Sequence, residues 1–217
     1  QGPVLEELGK SIGIVKGVVS IDRMMLVIKG QAIHSGGGSM SLRRDALIPA
    51  SKIIMFVEKM AKRYKNIRTT VGRVEVYPGS LNTVPGEVKV GIDLRVYGDR
   101  DKYLRTLRRG IDEICGSSRV TCDTSTLYRK KFQMMSKRVT HTISRCAKEL
   151  HLNAYRLPSF GGHDAQVIGK VADSGMIFVP SKNGISHNWN EWTDFKYARA
   201  GTRLLLATIL GLAGVAQ

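Results

Sequence analysis

Residues 87–97 read E-V-K-V-G-I-D-L-R-V-Y. Val88, Val90, Ile92 and Leu94 alternate with Lys89, Gly91, Asp93 and Arg95, the period-two pattern of a strand with one buried face. Working back, P-G-S-L-N-T-V-P-G (78–86) carries two Pro and two Gly and reads as a loop between strands. Before it, T-T-V-G-R-V-E-V-Y (69–77) reads as a second strand. Further back, Ile53, Ile54, Val57, Met60 and Ala61 recur at helical spacing, with Asp45 as the expected N-cap and Pro49 near the first turn. Working forward, a helix over 99–115 places Leu104, Leu107, Ile111 and Ile114 on one stripe, and 119–128 reads as a further strand.

With a strand at 21–30 ahead of the first helix, the order over 20–130 is β-α-β-β-α-β. That order is the split unit of ferredoxin-like folds, one antiparallel sheet covered by two helices. Outside it the pattern changes. A strand at 11–19 precedes it, and a helix at 136–150, a helix from Ala165 to Val171, a strand at 176–179 and a helix at 194–212 follow. This reads as part of an α/β sheet. The expected organisation is therefore an α/β chain: a partial α/β domain of residues 1–19 and 133–217, interrupted by an inserted unit of residues 20–132.

Composition excludes some classes. No apolar run reaches the roughly 18 residues of a membrane span. Three cysteines, Cys115, Cys122 and Cys146, show no C-x-x-C spacing and read as reduced thiols of an intracellular, cytoplasmic protein. The formal charge of +16 attracts anions. The basic residues are scattered, however, and no helix-turn-helix, RNP or zinc-finger pattern accompanies them, so nucleic acid stays a lesser alternative. The chain opens on Gln1-Gly2-Pro3 without a methionine, as a processed or excerpted chain would.

Four loops carry residues with chemistry. His34 lies in H-S-G-G-G-S-M (34–40), and Asn82 lies in the loop before Glu87. Arg95, late in its strand, offers either an exposed strand-face cation or a bidentate fork for a carboxylate. G-G-H-D-A (161–165) enters a helix, with Asp164 a candidate N-cap. His187 lies in P-S-K-N-G-I-S-H-N-W-N-E (180–191), where Asn188 and Glu191 are placed to orient its ring. Singly, each reads as a loop residue or a site residue.

Together these stretches resemble the metal-dependent aminoacylase and carboxypeptidase superfamily, in its branch of N-carbamoyl-L-amino-acid hydrolases, β-ureidopropionases and allantoate amidohydrolases. The matching runs, in family order, are Q-G-P-V-L-E-E-L-G, G-Q-A-I-H-S-G, M-S-L-R-R-D-A-L, P-G-S-L-N-T-V-P-G-E-V, D-L-R, G-G-H-D-A and the 180–191 loop. The resemblance implies a catalytic α/β domain carrying two divalent metals, zinc or manganese, and an inserted lid through which the enzyme forms a homodimer. It implies that His187 ligates one metal. His34 would reach the neighbouring subunit's site and stabilise the oxyanion. Asn82 and Arg95 would hold a small carboxylate substrate, Gln1 would lie near the same pocket, and Gly162 with His163 would line its wall.

The chain departs from that pattern. The other metal ligands and the general-base glutamate of the family lie upstream of Gln1, so this chain alone is expected to bind no metal tightly and to be inactive. The family's N-H-A-G-T-T-P-M appears as I-H-S-G-G-G-S-M, and Trp189 stands where a proline is common. A non-catalytic relative serving dimerisation or ligand binding is the alternative.

Overall fold

The computed structural model describes residues 2–214. Two compact units emerge, the chain leaving the first after Val19 and returning to it at Phe132, with Ser20–Lys131 forming the second. In chain order the first unit holds α1 (Val4–Glu7) and β1 (Ile12–Val18). The second holds β2 (Ser20–Lys29), α2 (Leu47–Arg63), β3 (Ile67–Tyr77), β4 (Glu87–Val96), α3 (Arg100–Gly116) and β5 (Thr121–Lys130). Back in the first unit follow β6 (Gln133–Met134), α4 (Lys137–Glu149), β7 (Ala154–Ser159), α5 (Ala165–Ile168), β8 (Ile177–Phe178) and α6 (Phe195–Ala213).

In the second unit the sheet order is β3-β4-β2-β5 and all three pairings are antiparallel. The alternation of β4 explains its orientation. Val88, Val90, Ile92, Leu94 and Val96 are all buried, and they pack with Ile53 and Val57 of α2 and Leu107 and Ile111 of α3. Burying side chains of this size stabilises by about 1.5–3 kcal/mol each before chain entropy is counted. The two helices approach closely at Gly110, where any Cβ would meet the ring of Phe56. Asp45 does not cap α2 as expected: the N-cap position is Ala46, without a side-chain cap bond, and Asp45 Oδ1 accepts Leu47 N–H at 2.8 Å from one residue upstream. α3 is capped by Asp99, whose Oδ1 accepts Lys102 N–H at 3.0 Å. The opposite sheet face carries Arg23, Lys89, Asp93 and Arg95, with Arg23 and Arg95 both paired to Asp93.

In the first unit β1 pairs in parallel with β7 and antiparallel with β6 and β8. Ile12 and Ile14 face α4 and α6 in one apolar cluster, while Val15 and Val18 turn toward Met135, Met176 and Phe178. α4 is capped by Ser136, and α6 stops at Gly214, whose φ of +73° is the left-handed turn that ends helices. At the base of the insertion Gly17 pairs with Met134 and Val18 with Gln133.

Two further expectations need correcting, and one strand carries no signal of its own. The helix from Ala165 ends at Ile168, one turn long, and Asp164 makes no side-chain cap. β7 has no strand signal in its sequence because Pro158 interrupts it; a proline is tolerated where one side of a strand donates no ladder bond. Cys115 and Cys122 are not free thiols but a disulfide, their Cα atoms 6.3 Å apart, while Cys146 is free and buried. The pairing is possible because Cys122 lies opposite Ile28, on the sheet face that α3 covers.

Candidate functional site

The two units carry separate groups of candidate residues. In the second unit, β2 runs out into the His34 loop, and the Asn82 loop leads into β4. Backbone hydrogen bonds join these loops. Val84 N–H donates to Ile33 O and Ser35 N–H to Asn82 O, both at 2.8 Å, and His34 forms a bridge with Thr83. Arg43 Nη2 donates to Ser35 O and secures the loop from its other arm. His34 and Asn82, 48 positions apart in sequence, thus become neighbours.

The His34 ring has a defined polarity. Gly36 N–H donates to Nδ1 at 3.1 Å, so Nδ1 is the acceptor and the neutral ring carries its proton on Nε2. The exposed side chain therefore presents an N–H donor outward. Asn82 Oδ1 is occupied by Ser80 Oγ at 2.6 Å, rather than by its own backbone as an Asx-turn would have it. Its carboxamide nitrogen remains available to a ligand.

Arg95 is not part of this pair. It lies opposite Ile21 and Arg68, eight residues along β4 from Glu87. At strand rise that separation is about 26 Å. It is half-buried rather than fully exposed, and its Nε donates to Asp93 Oδ1 at 2.8 Å. The carboxylate two residues back on the same face holds the guanidinium in place.

In the first unit, Gly162 is exposed in the turn after β7. His163 is engaged: its Nε2 hydrogen-bonds Ser159 Oγ at 2.8 Å and its ring lies 5.5 Å from that of Phe178. His187 lies in a loop closed at its base by Lys182 N–H to Trp192 O at 2.9 Å and tied to α1 by Asn183 N–H to Glu6 Oε2 at 2.7 Å. The side chain is exposed and the backbone left-handed, with φ of +54°. Glu191 does not orient the imidazole as expected. Its Oε2 accepts the backbone N–H of His187 at 2.8 Å, and Asn188 accepts that of Asn190 at 3.0 Å. The carboxylate fixes the loop's turn and leaves the ring to find its own partner. The loops after β7 and β8 depart in opposite directions along β1, because one strand is parallel to it and the other antiparallel. The link between them is the contact of His163 with Phe178. Gln1 lies outside the described residues.

Among the described residues no group of three or more His, Cys, Asp or Glu is placed to hold a metal ion. One imidazole falls short of the three or so protein ligands of a catalytic zinc. The described residues do not by themselves fit a catalytic metal.

Comparison with known proteins gives the frame for these loops. The model of peptidase family M20/M25/M40 matches residues 1–211. The chain belongs to this family. It is 33% identical over 217 residues to an N-carbamoyl-L-amino-acid amidohydrolase of Paenarthrobacter aurescens, covering 98% of this chain and 52% of that protein. To the allantoate amidohydrolase of Escherichia coli K12 it is 33% identical, covering 98% of this chain and 53% of the relative. Among solved structures, a hydantoinase/carbamoylase-family amidase from Burkholderia multivorans matches with a TM-score of 0.91 at 29% identity, over 97% of this chain and 52% of that one. The chain thus spans about half the length of the curated relatives it matches.

Four partners of this M20 chain's candidate residues were not singled out from sequence: Gly36, Arg43, Ser159 and Asp93. Only Asp93 had a readable signal, since it shares the alternating face of β4 with Arg95. Gly36 acts through its backbone N–H, and Arg43 and Ser159 act through side chains whose contacts depend on how the loops fold.

Proposed function

We propose that this chain is the C-terminal portion of a metal-dependent amidohydrolase that cleaves the linear C–N bond of N-carbamoyl or ureido acids. The observation that carries the reading is the His34 ring, held by Gly36 with Nε2–H outward beside the carboxamide of Asn82. A fixed N–H donor in that state suits a developing oxyanion, where a preorganised charge-sensitive hydrogen bond acts most strongly. Arg95, steadied by Asp93, is the fork for the substrate carboxylate. His187 contributes one ligand toward the metals, and the remaining ligands come from residues outside this chain. Related proteins named as amidohydrolases of N-carbamoyl-L-amino acids and of allantoate support the substrate class.

The test is a fusion of this chain to the unmatched half of the N-carbamoyl-L-amino-acid amidohydrolase of Geobacillus stearothermophilus, which is 34% identical. With zinc or manganese supplied, the fusion is expected to release free amino acid from N-carbamoyl-L-amino acids, and this chain alone is not. A fusion that is folded by circular dichroism yet turns over neither these substrates nor allantoate, beside an active parent enzyme, would overturn the reading.

A homodimer through the second unit belongs to the same proposal. β3 is an edge strand of 11 residues, and beside it α2 exposes Met55 and Ile48. A groove of about 470 Å³ runs between them, lined by Ile54, Met55, Ala61 and Val71 among others. A second copy pairing its own β3 there would satisfy the free edge and cover the apolar strip. Arg95 lies near one end of β4, and the Asn82 loop enters at the other, with about 26 Å of strand from Glu87 to Arg95; that separation supports a division of labour, each group serving a different site of the dimer. Met55→Asp is expected to weaken the dimer at least about tenfold, since a carboxylate would be buried unpaired. Sedimentation showing an unchanged dimer would place the interface elsewhere.

A further inference from the structure

The disulfide and the His34 loop are connected. Cys115 closes α3, Cys122 opens β5, and the chain between them turns through Arg119, whose φ of +51° is left-handed. Cys122 pairs with Ile28 and Thr121 with Lys29, so the covalent bond sits at the end of β2 from which the His34 loop departs. Arg119 grips the returning arm of that loop from both sides. Its Nη1 donates to Ser41 O, and its own carbonyl accepts from Arg44 Nε, both at 3.0 Å. Arg44 O in turn accepts Gln31 N–H at 2.8 Å, and Arg43 reaches across to Ser35 O, next to His34. Ser117, Ser118 and Arg119 line one cavity of about 490 Å³ with Met40, Ser41 and Arg43.

Charge makes the grip conditional. Arg43, Lys52 and Arg119 border that cavity with Asp45 as the one carboxylate among its lining residues, and Arg44 adjoins them. Like charges lining one cavity repel, and Asp45 Oδ1 already accepts the Leu47 N–H. The Arg119 Nη1 bond to Ser41 O is made against that repulsion, so any constraint on the turn favours it. The short covalent ring is such a constraint, because it limits where residues 116–121 can go.

We propose that Arg119 is a positioning residue for the His34 loop and that the Cys115–Cys122 disulfide keeps it in place, so thiol–disulfide exchange at this bond is felt at His34. The inference rests on the assignment of His34 above for its functional meaning but not for its test. In the exchange a dithiol reductant breaks the sulfur–sulfur bond. Two electrons and two protons pass to Cys115 and Cys122, and the reductant leaves as its own disulfide. Cys122 lies on an edge strand and is partly exposed, so a thiolate has access.

Hydrogen–deuterium exchange of the full chain, followed over peptides covering 35–44, reads the loop without requiring activity. Oxidised wild type is the reference. Arg119→Asn keeps a residue that tolerates the left-handed backbone and removes the guanidinium. It is expected to speed exchange over 35–44 about two- to tenfold, the span of one net hydrogen bond. Wild type reduced with dithiothreitol and the Cys115→Ser/Cys122→Ser variant are expected to match it, with exchange in β4 unchanged in each. Arg119→Lys, which keeps a cationic donor for Ser41 O, is expected to recover part of the protection. Unchanged exchange over 35–44 in oxidised Arg119→Asn, or on reduction, would overturn the proposal. So would mass analysis of the native protein showing three free thiols. Failure of amidohydrolase turnover with a positive exchange result would instead fault the functional assignment.

Discussion

Arg100→Ala is expected to destabilise the Ser20–Lys131 unit by about 3–5 kcal/mol, the range found when one partner of a buried ion pair is removed. Asp22 is 1% exposed on the helix-covered face of β2. Arg100, in the first turn of α3, meets it with both ends of its fork, Nε to Oδ2 at 2.6 Å and Nη2 to Oδ1 at 2.7 Å. Hydrogen bonding to Asp22 raises the guanidinium's already high pKa further. Arg129 supplies one longer bond at 3.1 Å from a half-exposed position. With Arg100 gone, the carboxylate keeps that single contact in a low-dielectric site. Urea titration at constant slope measures the loss. Asp22→Leu combined with Arg100→Met is expected to recover at least half of it, because no orphan charge then remains. A single-variant cost below about 1 kcal/mol would mean that water or Arg129 compensates Asp22.

The second large effect is kinetic. In the active fusion, His34→Ala is expected to lower kcat about 10²- to 10³-fold with KM little changed, as for the loss of one oxyanion donor. Arg95→Ala is expected to do the reverse, raising KM for acids more than it lowers kcat, since a carboxylate contact exists in the ground state too. The split is the diagnostic. A KM effect at His34 with normal kcat would make His34 a substrate anchor.

The fold was legible wherever a regular period met a clear terminus. The alternation of β4 and the stripes on α2 and α3 derive from local spacing, and local spacing is what a sequence displays. The strand read at 176–179 is present as β8, whereas β6 and β7 escaped because a two-residue strand has no period and Pro158 masks the other. The disulfide was invisible for a related reason: its cysteines are brought together by the turn at Arg119, and no spacing rule encodes that turn.

The site was legible as residues but not as geometry. His34 and Asn82 stand out as loop residues, yet their adjacency depends on backbone bonds between distant loops. Glu191 was correctly placed near His187, but a left-handed backbone turned the amide, not the ring, toward the carboxylate. Arg95 lies on the same strand that opens beside Asn82, and only the register shows how far apart they are.

The pairing of Gly17 with Met134 and of Val18 with Gln133 has one more consequence. The chain departs from and rejoins the first unit at adjacent positions of a single ladder, while Ile21 and Lys130 do the same within the second. The entire interval is therefore a cassette hung on a hairpin stem. Its length and charge are free to diversify without altering a register in the scaffold that carries it. Swapping such cassettes between relatives would move everything in residues 20–131, the His34 and Asn82 loops included, as one block.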